Sequence, residues 1–222
     1  MKKGNMFNGM KNAMVIVVSL LCLTGCTSGI QLQSTMQNVE QRDYATVLLI
    51  DRGKDGKNYE FSLGIAEEKK VGEKSQTEKL STFYANDFEE LAKEYQLTKG
   101  KSLSLVHLKV ILLARDGNSA FEEQWDILHQ MGENEEIAKT CPVLQITEKD
   151  KFTTFIEDAK EPVGTYLDNL IKVTDNQGQS IPQLKDYLKV LREEMYLPIY
   201  FLEKKSEGWQ LKCRAEVTIS ES

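Results

Sequence analysis

Leu103 to Ala114 constrains the fold more than any other segment of this 222-residue chain. It is the most apolar stretch after the first 25 residues, and both of its sides are apolar when it is read as a strand. Val106, Leu108, Val110 and Leu112 fall on one face, while Leu105, Ile111 and Leu113 fall on the other. A strand of this kind needs cover on both faces, which places it inside a sheet with helices above and below. Ala45 to Ile50, ending at Asp51, is a second nearly continuous run of β-branched and aliphatic residues. Such runs read as buried strands. Two of them predict a mixed β-sheet flanked by helices, of the α/β or α+β class.

The remaining elements fill in around these strands. Arg52 to Lys57 supplies turn residues, after which Tyr59, Phe61, Leu63 and Ile65 alternate with Glu60, Ser62, Gly64 and Ala66. That alternation predicts a returning, half-exposed strand. Residues 67–79 are charged and read as a solvated loop. Asn86 with Glu89 three residues on predicts a capped helix whose stripe is Phe88, Leu91, Ala92 and Tyr95. A second helix is expected over 120–131, with Phe121, Trp125 and Leu128 on one face and Gly132 as its C′ residue. Pro142 to Ile146 reads as a strand, and Thr147 opens a helix burying Phe152, Phe155, Ile156 and Ala159. A short helix over 163–171 follows. Another starts at Ser180–Pro182 with the stripe Leu184, Tyr187, Leu188, Leu191 and Met195. Pro198 to Lys204 and Trp209 to Ile219 form a closing hairpin. The expected order is β-β-α-β-α-β-α-α-α-β-β. Trp125, Phe152, Phe155 and Tyr187 sit on helical stripes as core residues. Trp209 is either core or part of an exposed edge that pairs with a partner.

The start of the chain carries an address. Lys2, Lys3 and Lys11 precede an apolar stretch from Ala13 to Leu23. Eleven residues are too few for the roughly 20 that span a bilayer, so the pattern is a secretory signal. Leu23-Thr24-Gly25-Cys26 resembles the lipobox of bacterial lipoproteins, which implies cleavage between Gly25 and Cys26 and acylation of the Cys26 sulfur. Residues 1–25 are then the signal peptide and 26–42 a polar tether. Residues 43–178 form the main domain, and 179–222 either complete it or begin a second one. Losing the signal removes three basic residues and no acidic ones, taking the net charge from −6 to −9. That acidity argues against nucleic acid and against binding anionic lipid by charge. The acyl anchor would do the membrane work. Of the four cysteines, Cys22 leaves with the signal and Cys26 is acylated, so Cys141 and Cys213 remain as two thiols or one disulfide.

Signatures of catalysis are missing. The two histidines, His107 and His129, lack metal-ligand spacing, so no metal and no cofactor are expected. The sequence holds no Gly-x-Ser-x-Gly elbow, no Gly-x-x-x-x-Gly-Lys loop and no Cys-x-x-Cys pair. Glu67-Glu68, Glu89-Glu90, Glu122-Glu123 and Glu193-Glu194 read as solvated surface rather than paired catalytic carboxylates. The chain is expected not to be an enzyme.

Several local strings, taken in order with the lipobox, resemble a known family. Val47-Leu48-Leu49-Ile50-Asp51 leads through a Lys-Asp-Gly-Lys turn into Tyr59-Glu60-Phe61-Ser62-Leu63. His107-Leu108-Lys109-Val110-Ile111-Leu112-Leu113 looks like that family's His-x-Lys-Val strand, making His107 and Lys109 motif residues of unassigned role. Ile127-Leu128, Glu135-Glu136-Ile137, Pro142 to Thr147 and Leu197 to Tyr200 follow in the same order. The chain resembles the C subunit of the spore germinant receptors of endospore-forming bacteria, the GerA-type receptor lipoprotein, over roughly residues 39–219. The resemblance implies a lipid-anchored subunit on the outer side of the inner spore membrane. It would assemble with A- and B-type membrane subunits, through the helix over 86–96 and the strand around His107. Two alternatives stand beside it: a surface lipoprotein of growing cells that binds a small ligand or another protein, and a short paralogue that modulates a full-length subunit.

Overall fold

β1 (Arg42–Arg52) sits inside the sheet because both of its faces are apolar. Leu48 and Ile50 point into one core, Val47 and Leu49 into the other. β5 (Val110–Ala114) repeats the pattern with Ile111 and Leu113 against Val110 and Leu112. The two strands pair in parallel, Val47 opposite Val110 through Ile50 opposite Leu113. These details come from a computed structural model, which describes residues 41–65, 80–114, 124–147, 149–158, 162–190, 196–206 and 208–218. The expected signal, Gly25, Cys26 and the expected tether as far as residue 40 lie outside the described residues. So do the loop over 67–79, residues 120–123, Ala159, Leu191, Met195 and the side chain of Phe155.

Among the described residues the sheet has eight strands. β2 (Tyr59–Ile65) runs antiparallel to β1, and β3 (Leu80–Ala85) antiparallel to β2. On the other side, β5 is followed by β6 (Val143–Ile146) and β7 (Tyr196–Lys205), all parallel, and then by β8 (Gly208–Thr218), antiparallel to β7. The order is β3-β2-β1-β5-β6-β7-β8, with β4 (Ser102–Ser104) beside the start of β1. Helices α1 (Phe88–Lys99), α2 (Trp125–Glu133) and α5 (Leu184–Val190) cover one face. On the other lie α3 (Lys149–Asp158) and α4 (Val163–Asn176). This is the mixed, helix-flanked α+β sheet expected. The hairpin β7–β8 belongs to the same sheet as β1, and Gln41–Ser222 is one compact unit.

Several local expectations fail for identifiable reasons. The segment 103–114 is not one strand. Arg42 pairs with Ser102 whereas Val47 pairs with Val110, so three extra residues are looped out between β4 and β5. Val106 is 47% exposed in that turn. β1 itself is irregular there, because its register with β2 shifts between Ala45 and Val47. The carbonyl of Thr46 takes the Lys109 N–H at 2.9 Å, which fixes the point where the strand resumes. Glu60, Ser62 and Gly64 are buried rather than half-exposed, because α3 covers Glu60 and the Ser62 hydroxyl bonds to that of Thr82. Leu80–Ala85, not anticipated, alternates buried Phe83 and Ala85 with exposed Thr82 and Tyr84 as an outer strand does. The first helix is capped one residue later than expected. Asp87 accepts the Glu90 N–H at 2.8 Å, and Glu90 in return accepts that of Asn86. Accordingly Leu91 and Tyr95 are buried while Ala92 is exposed.

Two helical glycines mark close approaches of different kinds. Gly132 lies within α2 rather than after it, against Leu188 of α5. A methyl group there would meet the Leu188 Cδ atoms at 2.7 and 3.0 Å, the free end of a half-buried side chain that can turn aside. At Gly164, in the first turn of α4, a methyl group would lie 2.7 Å from Thr46 Oγ1 and 2.8 Å from its Cβ. Thr46 belongs to a central strand and cannot retreat. Gly164→Ala is therefore expected to destabilise by about 1–3 kcal/mol, the usual cost of overpacking. Gly132→Ala should stay within about 1 kcal/mol of wild type, since helix propensity offsets the contact. Urea unfolding midpoints of the two variants test this contrast.

Candidate functional site

The carboxyl ends of β1 and β5 carry a cluster of charged side chains and a polar cleft. Asp51 and Glu60 stand opposite each other on β1 and β2. Two carboxylates side by side repel unless a cation joins them, and Lys149, the first residue of α3, does so. Its Nζ lies 2.6 Å from Asp51 Oδ2 and also contacts Glu60 Oε1. Burial pushes the ammonium toward the neutral form, but hydrogen bonds and charge from Asp51 and Glu60 outweigh it and raise its pKa. Lys149 thus stays charged and ties α3 to the sheet.

On the opposite face of the same edge is a cleft of about 290 Å³. Ile50, Asp51 and Arg52 form its wall on β1, Leu113 and Ala114 on β5, and Asn58 and Tyr59 at the start of β2. Gln124, Asp126 and Ile127, at the beginning of α2, close it. Clefts at the carboxyl ends of parallel strands are the usual binding positions of open α/β sheets. The Tyr59 hydroxyl is raised above its ordinary pKa by burial and then by the charge of Asp126, so it remains a neutral donor. Gln145, fully buried on β6, donates from Nε2 to Gln124 Oε1 at 2.9 Å, and Gln124 donates to the Ala114 carbonyl at 2.9 Å. This relay holds Gln124 at the rim. The lining offers amides, a phenol, carboxylates and a guanidinium, which are groups for recognition by hydrogen bonds and charge. Among the described residues no three His, Cys, Asp or Glu side chains are placed to hold a metal ion.

The residues singled out in the sequence lie elsewhere. His107 and Lys109 are at the amino end of β5, the far end from the cleft. His107 is exposed in the turn, with its ring 4.9 Å from that of Tyr44, rather than within an apolar strand. Cys141 and Cys213 are free thiols, the first buried and the second exposed on β8, so they do not pair. Phe152, Tyr187 and Trp209 are core, with Trp209 edge-on to Phe152 at 5.4 Å between centroids. Trp125 is only partly buried. His129 lies on the exposed side of α2 near Glu133. The pairing of Asp51, Glu60 and Lys149 has no local sequence pattern, since Lys149 is 98 and 89 positions from its partners. Its one signal was Asp51 closing an otherwise apolar run.

The family model described as the spore germination protein N-terminal domain matches residues 35–200. The chain belongs to this spore germination protein family. The matched span runs from before β1 into the middle of β7, and so includes the cleft, the Lys149 pairing and the His107 turn. No curated protein and no solved structure gives a significant match. Among the described residues no helix of this family member is long and apolar enough to cross a membrane.

Two measurements probe this edge and its surroundings. Lys149→Met leaves Glu60, whose side chain is 7% exposed, facing Asp51 without a cation, and should cost about 3 kcal/mol. Adding Asp51→Asn and Glu60→Gln should restore most of that loss. Because the folded pKa of Lys149 is raised, its contribution is full below the unfolded value of about 10.4. Denaturation curves should show it fading as pH rises beyond that. Separately, burial pushes the Cys141 thiol up to about 12. Brief iodoacetamide treatment of the native protein at pH 8, followed by peptide mass mapping, should modify Cys213 and spare Cys141.

Proposed function

We propose that this spore germination protein is the lipid-anchored C-type subunit of a nutrient germinant receptor. It acts without catalysis, assembling with membrane-embedded subunits of the A and B types on the outer face of the inner spore membrane. The observation that carries the reading is the family match over residues 35–200, which ties the folded unit to germination. The anchor rests on Leu23-Thr24-Gly25-Cys26, placed after a short apolar run behind three lysines. Two or three acyl chains provide stable attachment where one would not. Attachment confines subunit and partners to one surface, so weak contacts suffice for assembly. A non-enzymatic role is supported by the lack of nucleophile, phosphate-loop and metal motifs in the sequence.

Spores are the test. Cys26→Ala should abolish palmitate labelling, release the protein from the spore membrane fraction, and slow germination at least tenfold toward one nutrient while sparing others. Wild-type protein should co-purify with A- and B-type subunits from spore membranes. Expression confined to growing cells, or wild-type germination of the deletion strain toward every nutrient, would sink the reading.

A further inference from the structure

The amino end of β1 differs in character from the rest of this acidic chain. Arg42 opens β1 there, Lys99 ends α1, Lys101 follows it, and Lys109 precedes β5. Lys99, Lys101 and Lys109 are all exposed. The last turns of α1 and the turn before β5 also carry two exposed apolar side chains, Leu97 at 80% and Val106 at 47%. Of the nearby carboxylates, Asp43 pairs with Lys101 and offsets its charge, while Glu136 is held by a backbone N–H. Asp43 accepts from Tyr95 Oη at 2.8 Å and from Lys101 Nζ at 2.7 Å, and Glu136 accepts the Leu105 N–H at 2.8 Å. Glu133, at the end of α2, and Glu135 are exposed, so with Lys101 paired, Lys99 and Lys109 are the exposed cations this edge offers.

We propose that this edge rests on an anionic lipid surface, an inference that depends on the lipid-anchor reading above. Three observations converge on it. The chain reaches the edge first: Cys26 and Gln41 are 15 residues apart, a reach of at most about 50 Å, so an acyl anchor delivers this end of the sheet to the headgroups. The charge fits, since basic side chains beside an anionic leaflet are attracted individually. A net charge of −9 does not forbid this, because charges more than about 8 Å from the surface are screened at physiological salt. The apolar tips fit too. The His107 ring against Tyr44 props the turn so that Val106 projects outward, where an apolar side chain enters the headgroup layer.

The experiment uses the lipid-bearing full chain in vesicles, with Cys213→Ser and Val106→Cys carrying a bimane dye and Leu97→Cys as a second labelled position. In vesicles containing phosphatidylglycerol and a doxyl-labelled quencher lipid, both dyes should be quenched at low salt and recover at 0.5 M NaCl. Lys99→Gln with Lys109→Gln should shift the docked-to-free ratio about 25-fold toward free, at roughly fivefold per lysine. Protein that floats with the vesicles while both dyes stay bright overturns the inference and leaves the anchor intact. Equal quenching in pure phosphatidylcholine also overturns it, as does quenching or shielding that appears only with co-reconstituted membrane subunits, which would assign the edge to a protein partner. A chain that fails to float removes the anchor reading and this inference together.

Discussion

Burial of β1 and β5 on both faces is the constraint on which everything else depends. Neither strand has a side that can meet water, so the chain must supply helices to both faces and strands to both edges. It does so unequally. α1, α2 and α5 cover the face of Leu48, Ile111 and Val143, while α3 and α4 cover that of Val47, Leu112 and Leu144. The costly residue is Glu60, a carboxylate under α3, and Lys149 offsets that cost at the first residue of the covering helix. A single ion-paired cluster therefore joins the first residue of α3 to β1 and β2.

The sheet was legible because its signal is coarse. Apolar runs at 45–50 and 110–114, alternation at 59–65 and the closing hairpin each survive small errors of boundary. What was not legible depended on three-dimensional neighbours. The split between β4 and β5 shows only in how each pairs with β1, a strand about 60 residues earlier. Apolar content alone made Val106 and His107 look like strand interior. The one-residue error in the α1 cap arose because Asn86 and Asp87 are both good caps, and Glu89 and Glu90 both offer a partner three residues on. Leu80–Ala85 is an outer strand, whose short alternating pattern carries little apolar weight.

The site was less legible still, for a related reason. Recognition groups at the carboxyl edge come from four elements, and none forms a local pattern. Tyr59 and Gln124 have no shared spacing, and Gln145 gains meaning only through its hydrogen bond to Gln124. His107 and Lys109 form a compact string and so drew attention, yet they stand at the opposite end of β5. Family membership brings both ends of the sheet under one description. Their chemistry still differs, with a polar cleft at the carboxyl edge and exposed lysines beside Leu97 and Val106 at the amino edge.

The position of β1 in the middle of the sheet also sets a timetable. Its antiparallel neighbour β2 follows within a few residues, but the parallel neighbour β5 is about 60 residues further on. Parallel pairings of such separation must close a long loop before they are rewarded, and they form in the slower, millisecond-to-second range. A chain emerging amino end first can thus assemble β1 and β2 early while the other side of β1 keeps an open row of peptide groups. That side belongs to a strand whose residues 45–50 are all buried in the folded protein. Until β5 arrives, correct folding competes with pairing to any neighbouring chain, and the delay between synthesis of β1 and of β5 becomes the period of greatest vulnerability.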